Sequence, residues 1–296
     1  RIELKIVRDT IPVQTVYADL REDGIGVIRI STFAETTPDG FEEEAKRLLA
    51  EGMKGLVIDL RQNPGGLYVA AERIMNMLIP DGKPIVQFRQ RGREAQVTYS
   101  KYRDIGLSGL PMAVLIDGGS ASASEILAGA LKQSASVPLV GETTFGKGTA
   151  QLNRPFGDGS SMRYTYAEWL TPDGSSIQGS GLAPDVPASL PNYAKVTYFG
   201  DDKVLEENMF SEDIRSVQVM LAALGHDPGR EDGFFDDATA AAVKSYQESK
   251  GLEADGIVTG ATTRALFADI RNLLRESDTQ LEKAAEVVRN QIEHSP

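Results

Sequence analysis

Residues 112–133 read MAVLIDGGSASASEILAGALKQ, and this stretch decides the class of fold. Five apolar residues open it and predict a strand that is buried on both faces. Two glycines then make a sharp turn, and a helix is predicted from Ser122 to about Gln133. A strand that leads directly into a helix is typical of a layered α/β domain with parallel strands.

The same arrangement occurs on both sides of this stretch. GLVIDLRQNPGG at 55–66 is a second buried strand and turn, and a helix is predicted after it from about Leu67 to Leu78. A third apolar strand is predicted at 138–142. Two hairpins, at 84–100 and 149–170, complete the predicted α/β core.

Length and composition limit the possible functions. At ~150 residues per domain, 296 residues predict two domains, and the apolar and charged fractions of 41% and 25% are those of globular proteins. No apolar run approaches the ~20 residues that a membrane span needs. The absence of cysteine excludes disulfides, thiolate nucleophiles and cysteine-ligated metal. Because His226 and His294 are the only histidines, residues 1–200 can hold no Ser-His-Asp triad or histidine-rich metal site.

The net charge of −12 is unevenly distributed. Residues 1–200 carry 21 basic and 23 acidic side chains, whereas residues 201–296 carry 10 basic and 20 acidic ones. An acidic module therefore follows a nearly neutral one. Neither part has a basic stripe, which argues against nucleic-acid binding.

The last third of the chain contains a near-repeat. DGFFDDATAAAVKSYQ begins at Asp232 and DGIVTGATTRALFADI begins at Asp255, and each copy predicts a turn followed by a short helix. A polar stretch at 192–208 predicts a linker before this small helical module. After it, one helix is predicted over 268–293, with apolar residues recurring every seven positions. This stripe fits either packing on its own domain or a dimer contact. Its members are Leu274, Leu281 and Val288.

Without cysteine or a nearby histidine, nucleophilic catalysis in the first domain requires serine or threonine together with lysine. Three serines, at 120, 122 and 124, stand where the helix N-terminus favours developing negative charge. A serine at such a position is also a common helix cap. Lys147 lies between two glycines and Gln151 follows four residues later, although a loop lysine can simply be a solvated charge. The turn at 63–66 offers backbone N–H groups for an oxyanion, or is only a tight connection.

Together these segments resemble the C-terminal processing peptidases, also called tail-specific proteases. DGGSASASEILAGAL and GETTFGKGTAQ are similar to the signature pair of that family, and LVIDLRQNPGG to its glycine turn. WLTPDGSSIQGSGLAPDV resembles a later stretch, so that the likeness covers roughly residues 12–190. The resemblance implies an α/β core of the crotonase/Clp-protease-like type, followed by a small all-α module and a C-terminal amphipathic helix.

The resemblance also implies a catalytic assignment. Ser122 corresponds to the nucleophile, Lys147 to the general base and Gln151 to the third residue. The oxyanion hole corresponds to the N–H of Ala123 and to the turn at Gly65 and Gly66. No cofactor and no metal ion is implied.

Lys147 can act as a base only when its amine is neutral. The reference pKa of lysine is ~10.4, so a value near 7 costs ~4 kcal/mol, and desolvation is the expected cause. Ser122 would then attack a peptide carbonyl and form an acyl-enzyme that water hydrolyses. In a straight strand Gln151 would lie ~13 Å from Lys147. A hydrogen bond between them therefore requires a bend, which Gly148 permits, and we expect a bent active form and a straighter inactive form.

The resemblance divides the chain into four parts. Residues 1–11 resemble the last strand of a PDZ domain whose remainder is missing, and 12–200 form the protease core. Residues 201–268 resemble a peptidoglycan-binding-like module, for which a scaffolding or dimerisation role is the alternative. Residues 269–296 form the C-terminal helix and a possible dimer contact, so that a homodimer through this region is expected.

The function expected from these features is that of a serine endopeptidase of the bacterial cell envelope, secreted or membrane-associated, acting on protein or peptide substrates. The resemblance further suggests contact with peptidoglycan and a part in sporulation signalling. The alternatives are a non-catalytic, cell-wall-targeted binding protein on the same fold and a crotonase-type enzyme that acts on an acyl thioester. No nucleotide-binding feature supports the last of these.

Overall fold

Apolar runs separated by polar turns become the strands of two sheets in the computed structural model, which describes residues 13–294. The described residues form two units. The first contains the chain up to Ala188 and again from Gln280 onwards, and the second runs from Ser189 to Thr279. The predicted residual PDZ strand at 1–11 lies outside the described residues.

The first unit is built on a six-stranded sheet with the order β1-β2-β3-β6-β7-β10. β1 pairs antiparallel with β2, and every other pair in this sheet is parallel. The parallel strands end at one edge of the sheet, which is where α/β proteins hold their functional loops. These strands are Val16–Leu20 (β1), Ile25–Ile30 (β2), Gly55–Asp59 (β3), Met112–Ile116 (β6), Leu139–Gly141 (β7) and Val186–Pro187 (β10).

Helices cover both faces of this sheet, which explains the continuous apolar runs of β3 and β6. Because side chains alternate along a strand, Leu56 and Ile58 enter one core while Val57 enters the other. Three helices cover the first face, and a C-terminal helix covers the second. They are Thr37–Ala50 (α1), Tyr68–Leu78 (α2), Ala123–Ala135 (α3) and Thr279–Glu293 (α7).

A second sheet of four antiparallel strands belongs to the same unit. Its order is β5-β4-β9-β8, so that β8 is an edge strand. The register of β8 and β9 shifts between Ala150 and Gln151, which leaves Tyr166 as an extra residue on β9. The strands are Pro84–Arg89 (β4), Gln96–Tyr99 (β5), Thr149–Pro155 (β8) and Ser161–Leu170 (β9).

The second unit is helical, and the near-repeat has a physical basis there. The Gln218 side chain accepts from the Gly233 N–H at 2.9 Å and donates to the Phe234 carbonyl at 2.8 Å. Gln247 makes the equivalent bonds to Gly256 and Ile257, at 2.9 and 3.0 Å. Each buried glutamine therefore holds one Asp-Gly turn. The helices are Glu212–Ala223 (α4), Asp237–Ser249 (α5) and Gly260–Glu276 (α6).

The prediction of an α/β core followed by a helical module is confirmed, whereas the predicted linker at 192–208 is wrong. Phe199 and Leu205 lie within that stretch and are buried in the core of the second unit. A short 3-10 helix, Asn192–Lys195, also falls within it. Polar composition concealed these two apolar anchors, and the structure places residues 189–200 in the second unit.

The single helix predicted over 268–293 is also wrong, because α6 ends at Glu276 and α7 begins at Thr279. The heptad residues are thus divided between two helices. On α7, Ala284, Ala285 and Val288 are fully buried against the sheet. Packing within the chain therefore uses the stripe that would have formed a dimer contact. Within residues 13–294 no helix has both the length and the apolar composition needed to cross a membrane.

We predict that Gly55→Ala destabilises the first unit by about 1–3 kcal/mol, because overpacking a filled core has costs of that order. A Cβ atom at Gly55 would lie 2.3 Å from Cγ1 of Val288, where α7 approaches β3. Urea unfolding measures the change through the fluorescence of Trp169, the single tryptophan of the chain, which is buried in this unit.

Gly157→Ala is the matched control, because a Cβ atom there has nothing within 4 Å. We expect its free energy of unfolding to stay within about 0.5 kcal/mol of wild type. Val288→Ala should lower the free energy of unfolding less in the Gly55→Ala background than in wild type, because the smaller side chain leaves room for the added Cβ atom. Wild-type stability in Gly55→Ala would contradict the close approach of α7.

Candidate active site

Ser122 lies between the end of β6 and the first turn of α3. Its backbone has φ 58° and ψ −114°, a conformation that costs a serine about 1–3 kcal/mol. Two hydrogen bonds hold it there. The Ser122 N–H donates to Oε2 of Glu125 at 2.8 Å, and its carbonyl accepts from the Ile126 N–H at 3.0 Å. The surrounding chain thus imposes a strained backbone on this serine.

The neighbouring serines have structural roles. Ser120 Oγ donates to the Leu60 carbonyl at 2.8 Å and accepts from the Asp117 N–H at 3.0 Å. Ser124 Oγ donates to the Asn63 carbonyl at 2.9 Å. Both side chains are fully buried. Of the three candidate serines, Ser122 is the one that lines the large cavity described below.

Lys147 is positioned by its own backbone. Its N–H donates to Oε2 of Glu125 at 2.9 Å, and its carbonyl accepts from Nε1 of Trp169 at 2.8 Å. The preceding residue, Gly146, has φ 87° and no space for a side chain, because a Cβ atom would lie 2.8 Å from the backbone nitrogen of Gly181. Glycine is therefore required before the lysine.

A buried carboxylate joins the serine segment to the lysine segment. Glu125 is fully buried and accepts four hydrogen bonds. Its Oε1 accepts from Thr144 Oγ1 at 2.6 Å and from the Gly146 N–H at 2.7 Å. Its Oε2 accepts from the N–H groups of both Ser122 and Lys147. Because these two hydrogen bonds end on one oxygen, the distance between the two backbone nitrogens cannot exceed the sum of the two bond lengths.

One cavity of about 930 Å³ contains the predicted catalytic residues Ser122, Lys147 and Gln151. Its wall is largely apolar, as is common for ligand-binding sites. Burial raises the pKa of Tyr68, so this wall residue stays protonated and is not a competing base. Within the described part of the chain, no three histidine or carboxylate side chains are arranged to hold a metal ion. Apolar wall residues include Leu67, Val69, Phe88, Ile126 and Trp169.

The structure brings the three predicted residues to one cavity without joining their side chains. Among residues 13–294, no hydrogen bond connects Lys147 Nζ to Ser122 Oγ or to the Gln151 amide. Gln151 lies in β8 opposite Thr165 and is exposed. The segment from Thr149 onwards is thus extended, the arrangement expected when Gln151 does not reach Lys147. Catalytic hydrogen bonds are often long without substrate.

The predicted oxyanion donors behave differently from one another. The Gly65 N–H donates to Oδ1 of Asn63 at 2.9 Å and is therefore already paired within the turn, while the assignment of Gly65 to the oxyanion hole stays a prediction. The missing side chain of Gly65 lets the turn approach Ser122 closely, since a Cβ atom there would lie 2.9 Å from Cβ of Ser122. At Gly66 the parallel bridge to Phe33 uses the Gly65 carbonyl and the Leu67 N–H. The Gly66 N–H therefore points away from Phe33, and Gly66 lines the cavity.

Buried hydrogen bonds hold the turn that contains these glycines. Nδ2 of Asn63 donates to the Ile30 carbonyl at 2.8 Å, while its own carbonyl accepts from the Ala121 N–H at 3.0 Å. The Gln62 N–H donates to Oδ1 of Asp117 at 2.9 Å. The turn after β3 is thereby bonded to the turn after β6.

The sequence analysis did not identify Glu125, although a signal for it was present. Ser122 and Glu125 form the serine-x-x-glutamate pattern of a capping box, in which the glutamate returns to the N–H of the capping residue. That pattern predicts the bond to Ser122. The bonds to Gly146 and Lys147 cross 21 and 22 residues, and no local pattern reports them.

Comparison with family models covers both units. The model described as "Peptidase family S41" matches residues 24–188, and the model described as "Putative peptidoglycan binding domain" matches residues 210–266. The first match spans more than half of the chain and contains every residue of the candidate site.

Relatives that resemble the chain extend over both units. The "Carboxy-terminal processing protease CtpA" of Bacillus subtilis (strain 168) is 40% identical over 292 residues, which are 98% of this chain and 62% of that protein. The "Carboxy-terminal processing protease CtpB" of the same strain is 36% identical over 96% of this chain and 60% of its own length. The chain thus spans about three fifths of these curated relatives.

A solved structure shows the same fold. The "Photosystem II D1 C-terminal processing protease" aligns with a TM-score of 0.54 and 32% identity. The alignment covers 62% of this chain and 50% of that one.

We predict that Glu125→Gln lowers the free energy of unfolding of the first unit by about 2–4 kcal/mol. Glutamine replaces one carboxylate oxygen by an NH₂ group, which cannot accept the hydrogen bonds that Glu125 accepts. Buried N–H donors therefore lose their partner. Urea unfolding followed by Trp169 fluorescence measures the loss. The control is Glu94→Gln on an exposed turn, which should change stability by less than about 0.5 kcal/mol. Equal stability of the two variants would show that Glu125 does not join the segments.

Proposed function

This chain belongs to peptidase family S41, and we propose that it hydrolyses peptide bonds in protein substrates as a serine endopeptidase. One observation carries the proposal. Ser122 and Lys147 line one cavity while their backbone N–H groups meet on the same oxygen of Glu125. In a cavity lined by neither histidine nor cysteine, Lys147 is the base that this arrangement supports.

The proposed reaction begins with proton transfer from Ser122 Oγ to the neutral amine of Lys147. The oxygen then attacks the carbonyl carbon of the scissile bond. The developing oxyanion accepts from the N–H groups of Ala123 and Gly66, and the dipole of α3 adds to its stabilisation. Lys147 returns the proton to the leaving amine, which gives an acyl-enzyme, and water hydrolyses the ester by the same route.

In this proposal Gln151 joins the site when the segment at Gly148 bends. It stands in the cavity wall at the start of the edge strand β8. A bend at Gly148 would carry it towards Lys147 and orient the amine. Bonds to Gln178 and Trp169 hold Gly148, at 2.9 and 2.8 Å, and these are the contacts that such a bend would have to break.

The relatives support a proposal about the wider setting. We propose that the protein cleaves substrates near their carboxyl ends in the bacterial cell envelope and that its second unit contacts peptidoglycan. The match to a peptidoglycan-binding model over 210–266 supports the latter. A part in sporulation and a homodimer through the C-terminal region are finer proposals. Because the buried side of α7 already packs on the sheet, a dimer would have to use other residues.

Co-sedimentation with insoluble peptidoglycan tests the proposed contact. The Ser122→Ala chain is the suitable probe because, under the proposed mechanism, it does not cut proteins attached to the peptidoglycan. Recovery in the pellet supports cell-wall binding. Recovery in the supernatant would leave the second unit with a scaffolding role.

We predict that Ser122→Ala and Lys147→Ala each lower kcat for labelled casein by at least about 10³-fold, as expected when one member of a catalytic pair is lost. Hydrolysis is measured by release of soluble fluorescent peptides. A serine-reactive phosphonate should label Ser122 of the wild type, as mapped by mass spectrometry, and should not label either variant at a comparable rate.

Ser161→Ala is the control, because this exposed serine lies outside the cavity lining. It should retain wild-type hydrolysis and labelling. Hydrolysis by Ser122→Ala at the wild-type rate would refute the proposed nucleophile. Absence of both hydrolysis and labelling in the wild type would favour a non-catalytic binding protein on this fold.

A further inference from the structure

A buried ion pair joins Asp59, the last residue of β3, to Arg61. Both side chains are largely withdrawn from solvent, with exposed fractions of 7% for Asp59 and 14% for Arg61. The Asp59 carboxylate accepts from Nε and Nη2 of Arg61, at 2.9 and 2.8 Å. This two-point contact fixes the plane of the guanidinium group.

A residue far along the chain also binds this pair. Nη1 of Arg61 donates to Oε1 of Gln280 at 3.0 Å. Gln280 lies in the first turn of α7, and its side chain is almost fully buried. Its Nε2 donates to the Ala188 carbonyl at 2.8 Å. One amide therefore binds both the guanidinium and the last residue of the first unit before the second unit begins.

Arg61 begins the turn that provides the proposed oxyanion donor. The next residue, Gln62, has φ 57° and is bonded to Asp117, and Asn63 is bonded to Ile30. Three successive residues are thus held by partners from three different parts of the fold. Gly66, whose N–H is the proposed donor, follows this fixed segment after Pro64 and Gly65.

We propose that Gln280 is a positioning residue, which holds Arg61 and thereby the turn that aims the Gly66 N–H at the oxyanion. The proposal rests on the proposed function, because it assigns a part in peptide hydrolysis. Oxyanion donors act at about 2.7–3.1 Å from the oxygen that they stabilise. A misplacement of about 1 Å that is caused by a mutation far from the reacting atoms can cost about 100-fold in rate. Removing one of the acceptors of a buried guanidinium group favours such a displacement.

The test compares two glutamines of the same helix in the full chain. Gln291 also anchors α7 through its amide, accepting from the Met112 N–H at 3.0 Å and donating to the Met112 carbonyl at 3.2 Å. Gln280→Met and Gln291→Met each remove the two amide hydrogen bonds named here while retaining side-chain volume. Met112 stands at the start of β6, the end opposite to the turns.

We expect Gln280→Met to lower kcat for labelled casein by about tenfold or more while KM changes by less than about twofold. Gln291→Met should keep both constants. Hydrogen exchange followed by mass spectrometry should show faster uptake over residues 60–67 in Gln280→Met alone. Gln280→Glu should restore most of the lost kcat, since a carboxyl oxygen still accepts from Arg61.

Equal effects of the two methionine variants on kcat and on exchange would overturn the proposal, and so would a change confined to KM. The outcome remains separable from the proposed function. If the wild type does not hydrolyse casein, the proposed function fails, and the exchange data alone then decide whether Gln280 holds the turn. Faster exchange over 60–67 in Gln280→Met than in Gln291→Met supports the holding role, and equal exchange refutes it.

Discussion

The candidate site depends on the carboxylate of Glu125. Its Oε2 accepts from the backbone of the nucleophile candidate and from that of the base candidate, and its Oε1 holds the loop between them. Burying a charge is costly unless hydrogen bonds satisfy it, and here four donors and a helix N-terminus do so. The same contacts impose the strained backbone of Ser122. A single acceptor thus sets the relative position of two segments that are distant in sequence.

The glycines around this carboxylate show why so many small residues surround the site. Gly65 approaches the Ser122 side chain, and Gly146 approaches the backbone of Gly181, at distances that exclude a Cβ atom. Both residues also have positive φ. The two loops can therefore reach the nucleophile candidate only as glycine-rich turns. Residues of α2 and α3 contribute to the apolar wall of the cavity beside them.

Much of the first unit could be predicted from sequence, because local patterns specify it. Continuous apolar runs predicted β3 and β6 as buried strands, and the family resemblance brought Ser122 and Lys147 together as a pair. The structure places both in one cavity, and their catalytic roles stay predictions. Long-range partners were not predictable in this way. The bond from Arg61 to Gln280 spans 219 residues, and neither residue has a local pattern that reports the other. Burial of Phe199 in an otherwise polar stretch escaped notice for the same reason.

The chain leaves the first unit after Ala188, forms the whole second unit, and returns at Gln280. The hydrogen bond between Gln280 and the Ala188 carbonyl therefore joins the two ends of this insertion. The entropy of closing a flexible loop grows only with the logarithm of its length, at about 0.6 kcal/mol for each doubling. Because the ends of the insertion are fixed next to each other, the stability of the first unit depends only weakly on the length of the inserted chain. Modules of different size could be exchanged at this junction during evolution without altering the geometry of the sheet that receives them.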